Sequence, residues 1–267
     1  MNTQIRQTDI LTQECDLLVL PHFQGVARLA GVAALVDKGL EGGLSKLVGE
    51  DKFEGRLGQT LVFPTFGKLK ARKVALLGLG DKKHFGADAA RRIGGHIAKL
   101  AQQAHAENVA TVLAASNVDA RTAGQMLAEG LVLSAYRFHR YHGTQKKKDT
   151  RPVHELKQFT LCETDGRAIK LAREGWERGV VLAEATNLAR DLVNTPSAHM
   201  LPRDLAAAAQ ALSGKGVGFK VMSRSEMEKM GMEAALSVAR GSAHEPIGVH
   251  LVYKPKGAKK RIAIVGK

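Results

Sequence analysis

The chain has 267 residues, 40 Lys+Arg against 26 Asp+Glu for a formal net charge of +14, 44% apolar residues and two cysteines. This is the length of one large or two ordinary domains, and the balance of apolar to charged residues excludes wholesale disorder. No apolar run approaches the ~18 residues of a membrane span, so no membrane partner is expected.

The first twenty residues lack the basic-then-apolar pattern of a signal peptide. Cys15 and Cys162 are too few for a disulfide scaffold and fit a reducing cytosol. The positive charge is spread out: 22 basic and 15 acidic residues through Glu155, then 18 and 11, which is +7 in each part. Such a field favours weak association with nucleic acid or acidic surfaces without specifying either.

The first 155 residues alternate strand-like and helix-like runs. Residues 16–20 (DLLVL) read as a short strand stopped by Pro21, and 25–38 carry Val26, Leu29, Ala33 and Val36 at helical spacing. Residues 59–63 (QTLVF) and 73–77 (KVALL) read as strands, the second followed by Gly78-Leu79-Gly80. A long helix is expected over 87–106, with Ala90, Ile93, Ile97, Leu100 and Ala104 on one stripe. A strand over 109–114 follows, and then a helix capped by Asp119 and running to about Tyr136. This alternation predicts an α/β fold with a mostly parallel sheet.

Residues 142–150 (HGTQKKKDT) read as a solvated connection, because consecutive lysines repel and bury nothing. A strand over 156–162 precedes a helical pattern from Gly166 to about Val193, ended by Asn194-Thr195-Pro196-Ser197. Buried amides such as Asn187 and Asn194 are expected to satisfy free backbone groups at that break. Beyond it come a helix over 204–212 after Pro202, a strand over 219–222, short helices over 225–230 and 233–240, and strands over 249–253 and 261–265. The last strand, IAIV at its core, is followed only by Gly266-Lys267. A buried parallel strand needs neighbours on both sides, so the chain is expected to be a fragment that stops inside its second domain.

Several motifs carry a bland reading. Gly78-Leu79-Gly80 lacks the third glycine of a dinucleotide fingerprint, since position 83 is Lys83, and reads as a strand-end turn. His139 and His142 could share a helical face and hold zinc, but no acidic or cysteine partner lies beside them, so surface histidines are expected. Ser242 sits in a turn without a nucleophile-elbow motif. Lys267, at the carboxyl end of a strand, is either an ordinary surface residue or a functional one. As a metal ligand its amine must be neutral, which costs about 4–5 kcal/mol at pH 7 from an ordinary pKa of ~10.4. A nearby divalent cation offsets such a cost.

Residues 187–206 (NLARDLVNTPSAHMLPRDLA), 230–255 and 262–267 (IAIVGK) together resemble the leucyl aminopeptidase family of cytosolic aminopeptidases. Residues 136–141 followed by the lysine run also resemble the end of that family's N-terminal domain. The resemblance implies an N-terminal α/β domain similar to macro domains over 1–155, a linking strand and long helix over 156–194, and the start of a truncated catalytic α/β domain over 195–267. It implies a cytoplasmic homo-hexamer that removes N-terminal residues, often leucine, from peptide substrates. Two divalent metal ions, manganese or zinc, activate a water in that family. Gly266-Lys267 matches the first two residues of the family's Gly-Lys-Gly motif, which makes Lys267 a metal ligand by resemblance. The family's aspartates, its Asp-x-Glu pair, its second lysine and its arginine all come later in the pattern. The 267 residues alone are therefore expected to be inactive. Two other readings stand beside this one: a basic α/β module with weak DNA binding, which scarce aromatics argue against for stacked bases, and an inactive homologue serving as a partner subunit.

Overall fold

The computed structural model describes residues 1–26, 28–114, 117–141, 155–214 and 216–266. The chain divides into two units, Met1–Leu188 and Ala189–Lys267.

The first unit is built on a six-stranded sheet. Its strands are β1 (Asn2–Gln7), β2 (Cys15–His22), β3 (Thr60–Pro64), β4 (Ala71–Gly78), β5 (Asn108–Val112) and β6 (Gln158–Glu163), in the spatial order β1-β6-β5-β2-β4-β3. Every pairing is parallel except that of β3 with β4. The central strands are apolar on both sides and are covered on both faces, as parallel sheets are. Leu17, Val19, Ala75 and Leu77 pack against α3 (Ala87–Gln103), α4 (Ala120–Ala135) and α5 (Gly166–Asn194). Leu18, Leu20, Val74 and Leu76 pack against α1 (Val32–Gly39) and α2 (Gly43–Glu50).

The apolar stripe on α3 is buried as its spacing predicts, with Ile93 and Ile97 1–3% exposed. Helices α3 and α4 approach closely because both carry glycine at the contact: a Cβ on Gly130 would overlap the Arg91 carbonyl oxygen. Gly175 of α5 stands in the same relation to the Arg121 carbonyl. Across the first of these seams the Arg91 Nε donates to Glu129 Oε2 at 2.8 Å, so the buried carboxylate is paired.

Four expectations change. Strand β2 continues through Pro21 to His22, because its pairing with β5 ends at Val19 and only β4 flanks it there; proline is tolerated where a ladder is one-sided. The helix expected from residue 25 starts at Val32, after Gly31 at φ +56°. Strand β1 and helix α2 were not legible, since NTQIRQ is a polar edge strand and α2 has only eight residues. Residues 261–266 form no strand, and Ile262, Ile264 and Val265 are at least 90% exposed. A strand exists only through its ladder, and no described residue pairs with this run. The expected connection over 142–150 lies outside the described residues.

The second unit pairs β7 (Val217–Met222) with β8 (Gly248–Tyr253) antiparallel, and adds α6 (Pro202–Ala211), α7 (Arg224–Lys229) and α8 (Glu233–Ala239). Ser223 caps α7 reciprocally with Glu226: its Oγ accepts from the Glu226 amide at 3.3 Å while Glu226 Oε2 accepts from the Ser223 amide at 2.9 Å. The buried apolar side chains of this unit include Ala206, Met227 and Leu236.

Candidate functional site

The sequence points to two places: the break after α5 and the segment leading to Lys267. At the break, Thr195 engages a backbone carbonyl of the last helical turn, and neither asparagine is fully buried. Thr195 is buried, and both its amide and its hydroxyl donate to the Asp191 carbonyl, at 3.1 and 2.7 Å. Asn194 is exposed and Asn187 half-buried. Pro196 then turns the chain into a single 3-10 turn, Ser197–His199, and Asp204 Oδ2 accepts from the Leu201 amide at 2.9 Å to open α6. Nothing in the sequence singles out Thr195 except its place before proline, where the helix must end with a free carbonyl. Lys267 itself lies outside the described residues. The run before it is exposed and unpaired, as given above.

The glycines after β4 do structural work. Gly80, at φ +74°, donates its amide to the Gly55 carbonyl, and the Gly78 carbonyl accepts from Gly58 at 2.9 Å. Gln59 Oε1 gathers the amides of Glu54, Gly55 and Arg56 at 3.0–3.2 Å. The amides around these glycines are thus engaged within the protein, as the strand-end reading expects.

His139 has an acidic partner after all: its Nε2 lies 3.2 Å from Glu155 Oε1. Sixteen residues separate the two in the chain, so no local spacing rule finds the pair. His142 lies outside the described residues. Ser242 Oγ accepts from the His244 amide at 3.1 Å within a turn. Cys15 and Cys162 are free and buried, and burial pushes both thiols up to about 12.

A two-metal centre needs several carboxylate or imidazole ligands converging on one point. Among the described residues, no group of three or more His, Cys, Asp and Glu side chains is placed to hold a metal ion. The described residues therefore do not fit such a centre. No helix among them is long and apolar enough to cross a membrane.

Comparison with known proteins gives two successive matches. Residues 19–145 match the N-terminal domain of the cytosol aminopeptidase family and residues 187–267 match its catalytic domain. A probable cytosol aminopeptidase of Persephonella marina is 33% identical over 271 residues, covering 100% of this chain and 53% of the relative. A second, from a Sulfurihydrogenibium species, is 35% identical over 256 residues, covering 94% of this chain and 49% of the relative. The chain thus spans about half the length of the curated relatives it matches. Among solved structures, a tomato leucine aminopeptidase variant superposes with a TM-score of 0.75 at 21% identity, over 98% of this chain and 52% of that one. The bottromycin maturation enzyme BotP, solved in complex with Mn, gives 0.70 at 24% identity over 90% of this chain and 46% of its own. At these identities the two structures show a shared fold.

Proposed function

The chain belongs to the cytosol aminopeptidase family, and on that premise we propose that it supplies the N-terminal domain and the opening part of the catalytic domain of a metal-dependent exopeptidase. The reaction is release of N-terminal residues, with leucine preferred, from peptides in the cytoplasm by a homo-hexamer. The observation that carries this reading is the order of the two family matches along one chain, over 19–145 and 187–267. In the complete centre two divalent ions, manganese or zinc, would supply Lewis-acid and hydroxide chemistry. Lys267 is this chain's candidate ligand to them. The remaining ligands have no counterpart among the described residues, so the activity belongs to a longer polypeptide.

The test is to express the complete reading frame of the gene and assay leucine p-nitroanilide hydrolysis with manganese or zinc. Turnover abolished by a chelator and by Lys267→Ala supports the reading. A purified, folded product without turnover under either metal overturns it.

A second reading has one observation in its favour. Lys254, Lys256, Lys259, Lys260 and Arg261 are all exposed, and no acidic residue interrupts them. Weak duplex DNA binding through this turn predicts retention at ~50 mM salt that is lost steeply as salt rises; absence of retention at ~50 mM removes it.

A further inference from the structure

A cleft lies in the first unit, among residues that the family comparison gives no role. It encloses about 260 Å³ beside the amino ends of β1 and β6 and the carboxyl ends of α3 and α4. Met1, which carries the amino terminus, precedes β1, and Leu156 precedes β6; their side chains with Ala98 and Ala135 form its apolar lining. The polar lining is Gln102, Arg137, His139 and Glu155.

Arg137 is fixed there. One terminal nitrogen donates to the carbonyls of Ser134 and Tyr136 at 3.0 and 2.7 Å, and the other to Gln102 Oε1 at 2.8 Å. A guanidinium has five N–H groups, so these three bonds leave one donor on Nε and one on Nη2 without a partner among the described residues. The helix-terminal carbonyls hold the guanidinium in one orientation, and a pre-oriented fork is matched to a carboxylate. The same cleft carries a carboxylate, Glu155, held 3.2 Å from His139 Nε2. Its second oxygen, Oε2, remains to accept from an ammonium.

A cleft that holds an oriented guanidinium and a carboxylate beside apolar side chains suits a molecule that carries both charges and a hydrocarbon side chain. A dianion such as phosphate meets repulsion from Glu155. The volume is below the ~300–1,000 Å³ typical of pockets for drug-sized ligands, which suits a single small molecule. We propose that this cleft binds a free aliphatic α-amino acid, its carboxylate on Arg137, its ammonium on Glu155 and its side chain against Leu156 and Ala98. The inference does not rest on peptidase activity, because binding is read on this chain without turnover.

The experiment is calorimetric titration of the 267-residue chain with L-leucine, leucinamide, 4-methylpentanoate and inorganic phosphate. Saturable leucine binding in the millimolar range is expected. Leucinamide and 4-methylpentanoate, each lacking one charge, are expected to bind at least about tenfold more weakly. Arg137→Ala and Glu155→Gln should each weaken leucine about tenfold or more, and Arg137→Lys should fall between, having charge without the fork. Glu155 is exposed and its glutamine variant is isosteric, so that variant carries the test if the arginine variant fails to fold. No saturable leucine binding, leucine binding unchanged in Glu155→Gln, or phosphate binding tighter than leucine overturns the proposal.

Discussion

The indole of Trp176 lies parallel to the ring of Phe159, with centroids 5.1 Å apart and planes 7° apart. The contact joins α5 to the amino end of β6, and the indole N–H also donates to Thr3 Oγ1 on β1 at 3.3 Å. One side chain thus ties the long helix to two strands that are far apart in sequence. Trp176→Ala should destabilise the first unit by about 3–5 kcal/mol, and Trp176→Phe by less, since the ring stack survives. Urea unfolding followed by circular dichroism measures both; equal losses in the two variants would show that the stack contributes nothing.

The glycine seams make an opposite pair of predictions. Gly130→Ala and Gly175→Ala would each place a methyl group against a carbonyl oxygen of the neighbouring helix. Overpacking of this kind costs about 1–3 kcal/mol or more. Gly49 in α2 has nothing within 4 Å of its would-be Cβ, so Gly49→Ala should instead stabilise by about 0.5–1 kcal/mol. Thermal unfolding midpoints should therefore move in opposite directions.

Asp119 caps α4, with its Oδ1 accepting from the Thr122 amide at 3.0 Å and its Oδ2 from the Thr122 hydroxyl at 2.7 Å. The Thr122 amide first, and then its hydroxyl, hold the Asp119 carboxyl below the ordinary value of 3.8. A carboxyl with a depressed folded value contributes stability above its unfolded pKa and loses it as pH falls through the folded one. Asp119→Ala should therefore cost about 1 kcal/mol at pH 7, with the gap from the parent closing toward pH ~3. A gap of constant size from pH 7 to 3 would contradict this.

Both thiols are buried and raised to about 12. At pH 8 the native chain should react negligibly with a disulfide reagent, because the thiolate is the nucleophile. Two equivalents should react in denaturant. Rapid reaction of either thiol in the native chain would refute the burial assigned to it.

The core of the fold was legible where burial is two-sided. KVALL can only be an interior strand, and the stripe Ala90-Ile93-Ile97 can only be a helix against it. Pattern failed where tertiary context decides. Strand β1 offers one apolar side chain, Ile5, and exists because β6 pairs with it and Arg173 caps the Ile5 carbonyl at 2.7 Å. The run IAIV has the composition of an interior strand but no described partner to make it one. The candidate sites divide the same way. The strand-end role of Gly78 and Gly80 could be read from local spacing. Thr195 at the helix break and Glu155 beside His139 emerge only once the chain is folded, because their partners are set by packing.

Under the proposed function, these 267 residues hold one candidate ligand, Lys267, of a two-metal peptidase centre and not the centre itself. The most direct test is equilibrium dialysis of the purified chain against manganese, with leucine p-nitroanilide hydrolysis assayed on the same sample. The purified chain is expected to retain fewer than two ions and to show no turnover sensitive to a chelator. Retention of two manganese ions, with manganese-dependent hydrolysis that a chelator abolishes, would contradict it.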